Sequence, residues 1–477
     1  MITTSSFFMP FCLHRSCHLV TFVEDRRHLG HLSKVRAIAL TWMVNSSASL
    51  QSYRLIMIHY QSRIILTGLL AMMALGLWAQ RPQIFSSRIR TLQTVVEKKW
   101  TAMPIIALGS DEVVNIDFDD LTHESHRYAY RIEHCDAEWN TSTELFESDY
   151  IDGFAEGNLI DELQESLNTN TLYTHYHFSV PNSRCGLKLS GNYRVTVYDE
   201  NEDDKPILQT CFMVVEPAVS IALQVTGNTD QGLNTHYQQV GMEVKYGSLR
   251  VTDWQREIKT RLIQNGRWDN AAVNAQAQYI RPDGLTWTHC PQFIFDGGNE
   301  YRKFEILDVN RANMGVENTG WDNHQYHAYL WPDEPRPNYV YDEDANGAFF
   351  IRNSDNREIN YTAEYQMVHF KLKVPRIQGE VYLNGVWTYD QFTPDFQLTW
   401  NEEGQCYESQ QLLKQGYYSY QYLLRRPDGQ TARVPQDGNF FQTENSYTAL
   451  VYYRQTGGRY DRLVGTCTLH TVSRRGR

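Results

Sequence analysis

His175 and His177 stand two apart in the segment 173–180. On an extended strand such residues share one face, so both imidazoles would present themselves to the same ligand. His123 with His126 and His324 with His327 form two further pairs. None is accompanied by a carboxylate or cysteine at a recognisable metal-site spacing, and all three read as core or surface histidines. Asp342, Asp344 and Asn346 precede Gly347 as the first half of an EF-hand loop would. The glutamate that should close the loop is replaced by Asn353, and the sequence between is strand-like, so the segment reads as a turn.

The remaining candidates are carboxylates. Asp117, Asp119 and Asp120 adjoin one another, and residues 200–204 form an acidic tip. A glycosidase needs two acids facing one cleft, and proximity in an acidic sequence does not define such a pair. No Gly-x-Ser-x-Gly elbow or phosphate-cradling glycine loop is present. The expectation is a protein that is not an enzyme, with no catalytic, cofactor or metal site.

Net charge is −12 over 477 residues, and residues 1–79 hold seven Lys or Arg against two Asp or Glu. The rest is more acidic still, which argues against nucleic acid as a partner. Six cysteines follow residue 79 (Cys135, Cys185, Cys211, Cys290, Cys406 and Cys467), with no C-x-x-C pair. That spacing excludes a zinc ribbon or dithiol redox motif and leaves any disulfide pairing open.

The elements that must position these residues are strands. Residues 113–118, 128–133, 192–198 and 208–215 alternate at period two, and the last two flank an acidic turn in hairpin fashion. The pattern recurs to the C-terminus without long amphipathic helices, and aromatic residues make up 13% of the chain. Both features suit half-buried sheets. The fold class expected is all-β, as tandem immunoglobulin-like sandwiches over 80–217, 218–375 and 376–477, with Pro217 and Pro375 as boundaries. Residues 57–79 read as a signal peptide: Arg63, an apolar run over 64–78, and small Ala79 before Gln80. Residues 1–56 then read as a mis-assigned start or a disordered extension. No cysteine follows the apolar run closely enough to carry a lipid.

Several stretches form a familiar ordered set. Residues 130–139 include His134, Asp136 and Trp139; 150–154 include Gly153; 166–169 include Asn168 and Thr169; and 173–176 include Tyr173 and Tyr176. Residues 189–193 supply Gly191, Asn192 and Tyr193, and 344–347 supply Asn346 and Gly347, followed by 350–353 and 368–372. In this order they resemble the type IX secretion system plug protein family of Bacteroidetes, from about residue 84 onward. The resemblance implies a non-catalytic periplasmic protein, peripherally associated with the outer membrane. Its partner would be the outer-membrane translocon barrel, whose periplasmic mouth it occludes without inserting into the membrane. The motif residues are expected to be structural, and Trp321, Tyr326 and Trp331 are equally candidate docking anchors or core rings. A competing reading concerns Trp387 and Tyr389. Their surroundings are similar to early-set sandwiches that bind glucans, and alternation would put both rings on one face as a stacking platform. A core or interface role is favoured for them, because alternation equally describes burial.

Overall fold

Period-two alternation builds the first sandwich. In β1 (Ile89–Val96) and β2 (Val114–Asp120), Leu92, Val96, Val114, Ile116 and Phe118 turn inward, while Gln93, Val95, Asn115 and Asp117 turn outward. Joined by β4 (Glu162–Glu165) and β5 (Thr174–Val180), they form a sheet in the order β1-β2-β5-β4. The facing sheet is built on β3 (Tyr128–Cys135), β6 (Gly191–Asp199) and β7 (Lys205–Val215), the last two being the expected hairpin around the acidic turn. Stacked rings fill the space between, Phe118 on Tyr176 at 5.2 Å and Tyr193 on Phe212 at 5.3 Å. The computed structural model describes residues 81–471, so the expected signal peptide and residues 1–56 lie outside the described residues.

The second sandwich opens with β8 (Ser220–Thr226), β9 (Tyr237–Lys245), β10 (Ile258–Gln264), β11 (Arg267–Val273) and β12 (Gly284–Trp287). It is left incomplete while the chain makes a third body. There β13 (Arg302–Ile306), β14 (Val316–Trp321), β15 (Tyr326–Leu330), β16 (Tyr365–Leu372), β17 (Glu380–Asn384), β18 (Gln397–Asn401), β19 (Cys406–Lys414) and β20 (Gly416–Arg425) form one sheet. Its order is β13-β20-β17-β18-β19-β16-β15-β14, with two short strands added to β20. Phe304 of β13 and Phe370 of β16 are far apart in that order, yet their rings meet at 5.5 Å. The sheet therefore folds over on itself and encloses its own core.

Only then do β21 (Ser446–Tyr453) and β22 (Arg462–His470) return to complete the second sandwich as the sheet β11-β10-β21-β22. The structure thus departs from a division at residue 375 and from a separate sandwich over 376–477. Strand β16 pairs in register with β19 across that boundary, and β21 pairs with β10. Pro375 ends a strand without ending a sheet, and local alternation carries no information on which distant strand is the partner. The all-β class itself holds, with 48% strand and 6% helix. No helix among the described residues is long and apolar enough to cross a membrane.

Candidate functional site

The outward face of β1-β2-β5-β4 is the floor of a cleft of about 950 Å³. Gln93 stands opposite Asp117, Asp117 opposite His177, and His177 opposite Glu162, so one polar row crosses all four strands. Beside it, Asp119 faces His175 and His175 faces Gln164. Trp100 and Phe350, with ring centroids 5.5 Å apart, form one wall, and Tyr361 of the short helix Ile359–Thr362 lies in the other. The third body thus supplies part of the cleft.

Each imidazole is held by a carboxylate: His177 Nδ1 lies 2.8 Å from Asp117 Oδ1, and His175 Nδ1 lies 2.7 Å from Asp119 Oδ1. Burial alone would push the Asp117 carboxyl up, but the two imidazoles outweigh it and hold it at about 2. The His175 imidazole is raised, because the carboxylates of Asp117 and Asp119 overcome its burial. The His177 imidazole is raised by its bond to Asp117. Behind the floor, Lys414 Nζ donates to Asp119 Oδ2 at 2.7 Å and the Tyr365 hydroxyl donates to the same oxygen at 2.6 Å. Lys414 also sits 4.1 Å from the centroid of the Tyr173 ring. Burial lowers the lysine despite that partner. Among the described residues, these hydrogen bonds place no serine, threonine or cysteine side chain on either imidazole, so the His–Asp pairs orient no nucleophile. The arrangement braces the floor of the cleft against the third body.

The motif residues mark turns and the seams between bodies. His134 is buried on β3 between Ser142 and the Ser190 carbonyl, and burial lowers its imidazole to about 4. Gly191, at φ 143°, lets the chain cross it: a Cβ there would lie 2.4 Å from His134 Nε2. Asp136 accepts from the amides of Glu138 and Asn140. Asn192 donates to the Asp136 carbonyl and accepts from the Tyr452 hydroxyl, tying the first sandwich to the second. Trp139 meets Trp268 edge-on at 5.6 Å across the same seam. The acidic group Asp136, Glu138 and Asp461 also lies there. Lys259 bonds both Glu138 and Asp461, and Arg261 and Arg454 add to the network.

Tyr173 performs the same task towards the third body, donating to the Ala363 carbonyl at 2.8 Å. The loop before it, with Asn168 at φ 59° and Thr169 bonded to Ser166, docks through the Leu167 amide on the Tyr361 carbonyl. Tyr176 and Tyr193 are core rings whose hydroxyls bond to backbone, and Gly153 pairs with Cys185 in a two-stranded ribbon. Asn346 and Gly347 form a left-handed turn. There Asp344 accepts from the amides of Asn346 and Tyr301, which commits that carboxylate to backbone.

Three comparisons bear on this architecture. The family model described as "Type 9 secretion system plug protein 1st domain" matches residues 89–216. The chain belongs to the type 9 secretion system plug protein family. The crystal structure of a hypothetical protein from Parabacteroides merdae ATCC 43184 is similar over 82% of this chain and 99% of that one. Identity is 38% and the TM-score 0.80. No curated protein matches the chain. The family match ends within one residue of β7, so it spans the first sandwich, including the cleft floor and most of the motif residues. Membership makes this plug-family chain a structural component of type IX secretion, associated with the cell envelope.

The aromatic residues divide sharply in exposure. Trp321 is 47% exposed and Trp331 59%, at the two ends of the β14–β15 hairpin on the rim of the large sheet. Tyr326 packs on Trp321 at 4.6 Å, and Tyr329 stacks on His369 at 4.3 Å. Trp387 is only 5% exposed and donates its indole N–H to the Ser419 carbonyl. It lies in the 3-10 turn Val386–Thr388, not on a strand, so it does not alternate with Tyr389. The Tyr389 hydroxyl accepts from the Leu92 amide across the seam to the first sandwich. The stacking platform expected as the competing reading is therefore not formed.

The cleft row went unseen in the sequence because its members come from four strands. Its signal was present as polar residues at 115, 117 and 119 and again at 175 and 177, but only the pairing of β2 with β5 makes a site of them. Among the described residues, no disulfide joins any of the six cysteines after residue 79.

Proposed function

We propose that this chain is a non-catalytic plug of the type IX translocon. It docks from the periplasm on the outer-membrane barrel and blocks its mouth. The observation that carries this reading is that Trp321 and Trp331 both face solvent on a member of this family. Tryptophans dominate binding energy where protein partners meet. Trp321 and Trp331 stand roughly 17 Å apart along the hairpin at the strand rise of about 3.3 Å per residue. The seams described above hold the three bodies as one obstacle, as steric occlusion requires.

The test is capture of the tagged protein from extracts of its own outer membrane, with mass spectrometry of the co-purifying chains. The parent should retain a very large barrel protein, and the W321A/W331A variant should lose it while keeping its melting temperature. Equal recovery by the variant would move the docking face elsewhere. Absence of any barrel with the parent would overturn the plug reading.

A further inference from the structure

The cleft on the first sandwich has no part in the docking hairpin, and its lining has the character of a receptor. Along its length it mixes apolar side chains (Val95, Trp100, Leu163 and Phe350) with carboxylates. Asp117 is held by His177 at 2.8 Å, and Asp161 by Arg184 at 2.5 Å. Glu97 and Glu162, both exposed, then line the rim beside Lys98. The floor strand β4 is an edge of its sheet, and all four of its residues are exposed. A second feature is independent of charge. His175 is 7% exposed and lines the cleft, yet its Nε2 has no hydrogen-bond partner. Asp117 Oδ1 lies 3.3 Å from it as an ion-pair contact without a hydrogen bond. A buried polar atom left unsatisfied at the floor of a cavity is a place for a ligand's polar group.

We propose that this cleft receives an extended, positively charged peptide segment of a partner protein, laid across the four strands of its floor. Basic side chains of the segment meet Glu97 and Glu162, and its apolar side chains meet Trp100, Phe350 and Leu163. A polar main-chain group of the segment reaches towards His175. Four strands at about 4.8 Å spacing make a floor roughly 14 Å across, the length of about four extended residues. Anionic ligands are disfavoured by the rim. A neutral oligosaccharide is the rival occupant, since it would use the aromatic walls and the amides of the floor.

The probe is an N-acetylated hexapeptide alternating lysine with valine and threonine, titrated into the chain from residue 80 to 477 and followed by calorimetry. Its glutamate counterpart and a glucose hexasaccharide serve as comparisons. The lysine peptide should bind, weaken as salt is raised, and bind at least tenfold tighter than the glutamate peptide. The E97Q/E162Q variant should weaken it tenfold or more, whereas E334Q/E403Q, with the same charge change elsewhere, should leave it unchanged. These four glutamates are all exposed, so folding is not at stake. Failure of the lysine peptide to bind overturns the proposal, as does equal binding to E97Q/E162Q. Salt-independent binding of the hexasaccharide in competition with the peptide replaces the peptide by a glycan. None of these outcomes depends on whether a barrel is captured through Trp321 and Trp331.

Discussion

At the scale of single residues, the chain places charge and glycine where burial leaves little tolerance. Glu300 is buried, accepting from the Tyr339 hydroxyl at 2.6 Å and from the Glu444 amide, and burial pushes its carboxyl up to about 7. A raised pKa means the folded state holds its proton more tightly than the unfolded chain. Stability from that proton is complete below the ordinary value near 4.5 and is lost as pH rises through about 7. Glu300→Gln keeps an acceptor for Tyr339 and removes the ionisation. It should melt with the parent at pH 4 and be more stable by about 2 kcal/mol at pH 8, with solvent screening taking some of the full effect. Calorimetric scans at the two pH values check this. At Gly191 the expected outcome is the opposite sign. A methyl group there would collide with His134 and approach the Asp461 carbonyl, at a φ that side chains rarely adopt. Gly191→Ala should cost about 2 kcal/mol or more in urea titration. The glycine is visible in the sequence, but the histidine it accommodates is 57 residues away and is visible only in the fold.

At the scale of elements, the registers decide what the chain can do. Alternation made β2, β3, β6 and β7 legible, because one buried face forces a period of two whatever the partner. Pairing was not legible, since every strand with that pattern satisfies every other equally well. The histidine pair at 175 and 177 therefore looked unpartnered until β2 was laid beside β5 and gave each imidazole its carboxylate. The same pairing buries Asp119 against Lys414 of β19, both almost inaccessible. Such a bridge adds little net stability when both charges are present, but leaving one alone is severe. Lys414→Met should cost about 3–5 kcal/mol, because the Asp119 charge is left with weaker partners. The double variant D119N/K414M should recover a large part of that loss, since the neutral side-chain amide introduced at position 119 still offers an oxygen to the Tyr365 hydroxyl. Denaturant titration of the two singles and the double gives the coupling directly. If the double variant were as unstable as the sum of the singles, the bridge would not be what joins β2 to β19.

At the scale of the whole molecule, the chain order and the spatial order disagree, and this disagreement makes the protein one body. The second sandwich cannot finish until the third body has been made, because β10 lies between β11 and β21 and the latter begins at Ser446. Tyr447, Ala449, Val451 and Tyr453 of β21 enter the same core as Val240, Leu262 and Trp287. The seam to the first sandwich also depends on these late strands, through Tyr452 on Asn192 and Asp461 on the Ala137 amide. A boundary drawn at residue 375 predicts that a fragment over 80–375 contains two complete sandwiches and folds. The registers predict otherwise. That fragment lacks β21 and β22, exposing one edge of β10 and the core of the second sandwich, and it carries β13–β16 without β19 and β20, their partners. Exposed edges and apolar faces of that kind lead to aggregation. The 80–375 fragment should be insoluble or lack a cooperative melt, whereas 80–217, which holds the first sandwich entire, should retain β-sheet circular dichroism and a sigmoidal transition of reduced midpoint. A cooperative, soluble 80–375 fragment would show that the long-range pairing of β10 with β21 is dispensable. The three bodies could then be separated, which a plug that works by bulk alone would not survive.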